Sequence, residues 1–557
     1  GRVRSLAGLV LRSPRTAGTG TAAPPSNGTM SDGPATTAGA LMASSRLIWL
    51  VPVLPLLAAA AIGLRRLLRR GGGDAQEPRT AGLASGAALG ALLLLLVIDT
   101  AALAGLSPTS VVAGEWLWIG AVPVRLSFVV DAWSLPMATL VALIAWIALR
   151  FSATYLHRES GFQRFFFGMS LFLAGMLLIV LAGNAVLAFV GWELAGFSSW
   201  LLIAYAWERP LATGNALLVF LTNRVGDAGF LLGIGLAVWT VGSVEWAALA
   251  GDGTLSTVTA RLLALGFVLA ALVKSAQLPF TPWIARALEG PTPSSAVFYG
   301  SLMVHAGVYL LCRLQGLLVQ VPDMLGLLAV AGLATALYGG LCALVQSDVK
   351  SALIFSTVTQ VGLMFLLCGL GFFWLAACYS GLHAAWRAYQ FLLAPAYMHM
   401  VRRPARPVPR WLANQGWLYT ATLQRFWIEP LASNLLTRPT LALGRDVRAL
   451  DERFIDPLIG APREDEKAPL GAPHGAASLL AGEAANTLIR GHGIAGRALL
   501  AFADRLQLLE DRLLLSGDGV LTRGLQRVGH YVDVIESLLE QPRYLMLMVM
   551  ATFVVIL

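Results

Sequence analysis

Residues 165–205 read FFFGMSLFLAGMLLIVLAGNAVLAFVGWELAGFSSWLLIAY, and Glu193 is the one charged side chain in the stretch. The apolar residues are continuous rather than alternating, which argues for helices and excludes a membrane β-barrel. A helix crosses a bilayer core of roughly 30 Å with about 20 apolar residues, so the stretch holds two spans. Outward from it, similar runs lie at 47–64, 82–106, 130–150, 214–239, 260–280, 292–314, 324–345, 350–370 and 372–399. With 165–183 and 185–206 they predict about eleven spans, an all-α polytopic membrane protein.

The whole-chain arithmetic agrees. Of 557 residues, 57% are hydrophobic and 13% charged, and the mean hydropathy is +0.70. A soluble domain carries about 25% charged residues. The formal net charge is +9, but the basic residues form short clusters between apolar runs rather than one stripe, so no nucleic-acid partner is expected. Arg65, Arg66, Arg69 and Arg70 follow the first run, and Arg158 and Arg164 precede the fourth. Arg402, Arg403, Arg406 and Arg410 follow the eleventh, whereas Glu245 and Asp252 lie in a loop of opposite placement. The positive-inside rule puts the arginine loops in the cytoplasm and the acidic loop outside.

Four regions are expected: a low-complexity leader at 1–41, a transmembrane channel domain at 42–400, a charged cytoplasmic or interfacial region at 401–542, and a terminal apolar helix at 543–557. Within the third, 494–540 reads as amphipathic helix. Cys312, Cys342, Cys368 and Cys378 fall in apolar runs without metal spacing and read as small buried hydrophobes.

A charge inside a bilayer costs at least about 2.5–3.5 kcal/mol on insertion scales, so each intramembrane charge invites a functional reading. Glu193 lies mid-span. Arg224 and Asp227 stand at i,i+3, where they can pair, and read as a structural ion pair. Lys274 is followed by Pro279 and Pro282, which break the seventh helix and free its carbonyls. His305 lies along the eighth run, Asp348 and Lys350 open the tenth, and His383, Arg387 and His399 lie along the eleventh. Glu, Lys and His in a row can relay protons. The competing reading is polar residues that join helices, or snorkelling residues at span ends. The sequence carries no phosphate-binding loop, dinucleotide fingerprint, HExxH or CxxC motif. Energy therefore comes from an ion gradient or from a partner.

Four ordered motifs resemble the antiporter-like family that joins respiratory complex I subunit L and the Mrp antiporters. They are Gly191-Trp192-Glu193-Leu194-Ala195-Gly196, Asn223-Arg224-Val225-Gly226-Asp227, Lys274-Ser275-Ala276-Gln277-Leu278-Pro279 with Glu289-Gly290-Pro291-Thr292-Pro293, and Asp348-Val349-Lys350-Ser351. The resemblance implies an essential glutamate at Glu193, a proton-switching lysine at Lys274 paired with it, and a further axis lysine at Lys350. Three departures stand out: Arg387 where subunit L carries lysine, Tyr299 where it carries histidine with His305 two turns later, and no apolar helix pair across 400–542. With the segments 298–305 and 387–395, they resemble the membrane subunit of the Dab-type inorganic-carbon uptake complex. That resemblance implies a large soluble zinc-containing partner similar to a β-carbonic anhydrase, with no cofactor on this chain. The other readings are a complex I or Mrp pump subunit with other membrane subunits as partners, and an inert membrane anchor. A bacterial inner membrane is the expected location.

Overall fold

The computed structural model describes residues 46–68, 74–250, 255–400, 408–450, 501–507 and 529. The leader, the terminal apolar helix, nearly all of 494–540, Arg69, Arg70, Asp252, Arg402, Arg403, Arg406 and the side chain of His399 lie outside these residues.

The chain is mostly helical. Ten helical segments among the described residues are long and apolar enough to cross a membrane. We number the principal helices α1 (Leu50–Leu67), α2 (Glu77–Leu103), α3 (Ser134–Tyr155), α4 (Phe162–Leu181), α5 (Ala185–Ile203), α6 (Pro210–Leu236) and α7 (Thr257–Lys274). After a break come α8 (Pro282–Arg286) and α9 (Ala306–Arg313), then α10 (Pro322–Leu344), α11 (Val349–Gly369) and α12 (Phe373–Met400). The eleventh expected run is thus helical as well, but His383, Arg387 and Gln390 make α12 more polar than the other ten.

Burial ranks the helices. The 292–313 segment is wholly enclosed and α4 is 83% buried, whereas α1 is 33% buried and presents a broad lipid face. The centre is bound by glycines, as expected where lipid offers no hydrophobic drive between helices and close backbone approach supplies the contact. A methyl at Gly191 of α5 would meet the Gly175 carbonyl of α4 at 2.5 Å, and one at Gly229 of α6 would meet the Gly266 carbonyl of α7 at 2.8 Å. These contacts fix α5, α6 and α7 against their neighbours, and those three helices carry Glu193, Arg224 and Lys274.

Two features depart from the sequence reading. The loop after α2 is an antiparallel hairpin of β1 (Ser110–Ile119) and β2 (Val122–Val129), turned at Gly120 with φ +62°. β2 buries Val122, Val124 and Phe128 against the bundle, while β1 turns Trp116 and Trp118 outward. The 292–314 run is likewise no single helix. Helix Thr292–Ser295 passes into a π-helical turn at Ala296–Ser301 and a tight turn at Met303–His305 before α9 begins. Cys312, Cys342 and Cys368 are buried, but Cys378 is exposed, a correction to its reading as a buried side chain.

Candidate functional site

α7 ends at Lys274 and the chain resumes helix at Pro282. The predicted break at Pro279 and Pro282 is therefore present, and Lys274 stands at its edge. The interruption is satisfied locally: Trp283 Nε1 donates to the Val273 carbonyl at 2.9 Å, and Leu278 N–H donates to Thr335 Oγ1 at 2.9 Å. Backbone freed at membrane depth is tolerated only with such partners.

Lys274 is 1% exposed and its ammonium donates to the Trp192 carbonyl at 3.1 Å. The same ammonium lies 4.8 Å from the Trp192 ring centroid, within cation–π range. Glu193 meets Arg224 rather than Lys274: Arg224 Nη1 donates to Glu193 Oε2 at 2.5 Å. Arg224 Nη2 lies 2.9 Å from Asp227 Oδ2, and Trp192 Nε1 donates to Asp227 Oδ1 at 2.9 Å. The i,i+3 pair expected from spacing exists, but it is one edge of a larger cluster. Glu193 and Lys274 do not touch directly; Trp192, Asp227 and Arg224 connect them. The reason is reach. Arg224 projects from α6 between the two carboxylates, and its planar fork serves both.

Gly196, one turn beyond Trp192 on α5, leaves the room. A methyl there would lie 3.2 Å from Lys274 Nζ and 3.5 Å from Arg224 Nη2. Glu193 Oε1 and Asn223 Oδ1 are buried without a hydrogen-bond partner.

A second cluster lies at the second break. His305, fully buried, places Nε2 2.9 Å from His383 Nδ1. Arg387 donates from Nε to His383 Nε2 at 3.2 Å and from Nη1 to Gln390 Oε1 at 2.8 Å, and its Nη2 bonds Ser356 Oγ on α11. The breaks touch each other: Ser275 Oγ, next to Lys274, donates to the carbonyl of Val304, next to His305, at 2.7 Å. Lys350 joins neither cluster. Its ammonium donates to Thr292 Oγ1 at 2.6 Å, and Thr292 in turn meets the Tyr155 hydroxyl at 3.1 Å. Asp348 caps α11, accepting from Ser351 N–H at 2.8 Å.

Sequence reasoning missed Trp192, Gly196, Ser356 and Gln390 as site residues. Trp192 and Gly196 sit inside a motif whose one charged residue, Glu193, draws the functional reading to itself.

Toward the face that the charge pattern puts outside, Arg313 at the end of α9 grips Asp131 through Nη1 at 2.5 Å and Nη2 at 3.2 Å. Asp131 also accepts from Trp133 and Ser134 N–H groups. Burial pushes the Asp131 carboxyl up, but the hydrogen bonds and charge of Arg313, with Ser134, outweigh it and leave it below the usual carboxylate range.

Residues 182–408 match the family described as NADH:quinone oxidoreductase/Mrp antiporter, TM, and residues 116–166 match the N-terminal region of complex I chain 5. The chain is 35% identical over 364 residues to the chloroplastic NAD(P)H-quinone oxidoreductase subunit 5 of Nephroselmis olivacea, covering 63% of this chain and 55% of that one. It is 33% identical over 367 residues to chain 5 of the Synechocystis NAD(P)H-quinone oxidoreductase, covering 64% and 53%. The chain thus spans about half the length of the curated relatives it matches. The fold is shared with a chain of the Mrp complex from Dietzia, with a TM-score of 0.56 at 24% identity, covering 92% of this chain and 63% of that one. Through residues 116–166 and 182–408, this multi-pass membrane chain is similar to the antiporter-like family of complex I subunit 5/L and the Mrp antiporters.

Proposed function

We propose that this chain translocates a cation, the proton first and sodium as the other candidate, as the membrane subunit of a larger complex. The observation that carries this reading is the buried Glu193–Arg224–Asp227–Trp192–Lys274 cluster at the edge of a broken helix. Two carboxylates and two cations balance in formal charge, so a proton leaving Lys274 for a neighbouring acceptor changes the cluster's energy without stranding a large net charge. The Ser275–Val304 contact offers a mechanical link from this cluster to the histidine pair. In this reading residues 42–400 form the channel and 401–542 an interfacial region, and the complex resides in a bacterial inner membrane.

The partner proposed is a large soluble zinc protein that converts CO2 to bicarbonate, with ion flow through this chain making the conversion one-way. Support comes from Arg387 in place of the family lysine, and from the segments 298–305 and 387–395 that resemble the Dab-type membrane protein. A second reading, a pump subunit of a quinone oxidoreductase or Mrp complex, is favoured by the names of the relatives above. Purification of the intact complex through a tag on this chain separates the two. A single large zinc-bearing subunit together with rescue of growth at low CO2 supports the first, and several further membrane subunits without a zinc protein support the second. Glu193→Gln and Lys274→Ala are expected to abolish the rescue, and intact uptake in both contradicts ion coupling.

A further inference from the structure

Arg387, His383 and His305 form a chain whose proton positions follow from one fixed fact. Arginine is never deprotonated in a protein, so its Nε always carries hydrogen. The 3.2 Å bond from Arg387 Nε therefore requires a bare lone pair on His383 Nε2. The one ring proton of His383 then sits on Nδ1, and it points along the 2.9 Å contact to His305 Nε2. His305 Nε2 accepts, so the proton of His305 sits on Nδ1. That nitrogen is buried and makes no aligned hydrogen bond, although the Ser301 backbone acts on the same ring.

We infer that Arg387 closes the histidine pair to an added proton by pinning both imidazoles in the Nδ1–H form, and that the pair opens only when the guanidinium leaves His383. Resting on the cation-translocation reading, this makes Arg387 a positioning residue that gates the histidine step. The balance is simple. Each ring holds one proton, Arg387 occupies the outer nitrogen of His383, and the shared contact already holds a hydrogen. A further proton finds no free nitrogen until the Arg387–His383 bond breaks. Once it breaks, His383 Nε2 takes the incoming proton, and the pair then holds one added proton shared along the His383 Nδ1–His305 Nε2 contact. The latch that holds Arg387 in place spans two helices, through Ser356 on α11 and Gln390 on α12. A shift of α11 against α12 would release it.

Nitrogen-15 NMR of histidine reads this directly. The chain has seven histidines, and the full chain in lipid nanodiscs, labelled on histidine, gives few enough ring signals to assign by His383→Gln and His305→Gln. At neutral pH the wild type is expected to show Nε2 unprotonated and Nδ1 protonated in both rings. Arg387→Met is expected to release the pair, with Nε2–H or doubly protonated signals appearing at His383. Ser356→Ala, which keeps the arginine but loosens its anchor, is expected to show a mixture and covers the case in which the methionine variant fails to fold. A wild-type His383 protonated on Nε2, or an unchanged pair in both variants, overturns the inference. The readout needs no transport, so a pinned pair in a chain that moves no cation would sink the proposed function and leave the pinning intact.

Discussion

The Glu193 cluster and the His305 cluster stand beside the two helix breaks and touch through the Ser275–Val304 hydrogen bond, yet they hold charge in different ways. The first sets Glu193 and Asp227 against Arg224 and Lys274, with two buried acceptor atoms, Glu193 Oε1 and Asn223 Oδ1, left over. The second holds one fixed guanidinium against two imidazoles, a serine and an amide, with no carboxylate among its described hydrogen-bond partners. A balanced cluster with spare acceptors can redistribute a proton at modest cost. A cluster with an immovable positive charge resists a second one, because like charges at close range disfavour each other in a low dielectric. In the proposed reading one region holds and exchanges the proton and the other gates it.

That contrast breaks most visibly at Arg224. Arg224→Met strips both carboxylates of their cation, and breaking a buried pair costs about 3–5 kcal/mol. We expect a large loss of thermal stability in detergent, and a stability equal to wild type would contradict the pairing. Trp192→Phe keeps the ring under Lys274 but deletes the donor to Asp227. A hydrogen bond to a charged group contributes about 1.5–3 kcal/mol, so the expected loss is smaller than for Arg224→Met, and a double mutant with Asp227→Asn should be far less than additive. Gly191→Ala presses a methyl onto α4 backbone, and overpacking of this kind costs about 1–3 kcal/mol. Cross-linking between α4 and α5 should register the displacement, and unchanged cross-linking yields would contradict the packing account.

The smallest expected effect is at the outer face. Asp131 has a depressed pKa in the fold, so its contribution to stability is present above the unfolded carboxylate value and is lost as pH falls through the lower folded value. Acidification below about pH 4 should therefore loosen the contact between the β2–α3 connection and α9, read as protease sensitivity at that connection. Asp131→Asn should be loose already and insensitive to acid.

The spans were legible because lipid demands long apolar runs, and the seventh-helix break was legible because Pro279 and Pro282 announce it. The second break was not, since residues 296–305 contain no proline and the π-helical turn there is held by tertiary packing. The hairpin was missed although Val122, Val124 and Phe128 fall on one face of a short strand after Gly120. Beside the long apolar runs, a two-stranded signal is weak. Within the site, Arg224 and Asp227 were recognisable as partners because they are three residues apart on one helix. The Glu193–Arg224 contact was not, because it joins α5 to α6, and single-sequence spacing carries no register between helices.

The most direct test of the account is cation flux through the intact complex in membrane vesicles with Lys274→Arg. Arginine keeps the positive charge beside Trp192 but does not release a proton. The account predicts an assembled complex with normal stability and no gradient-driven flux. Flux equal to wild type in that variant would contradict it, because the cation would then be crossing without a proton ever leaving residue 274.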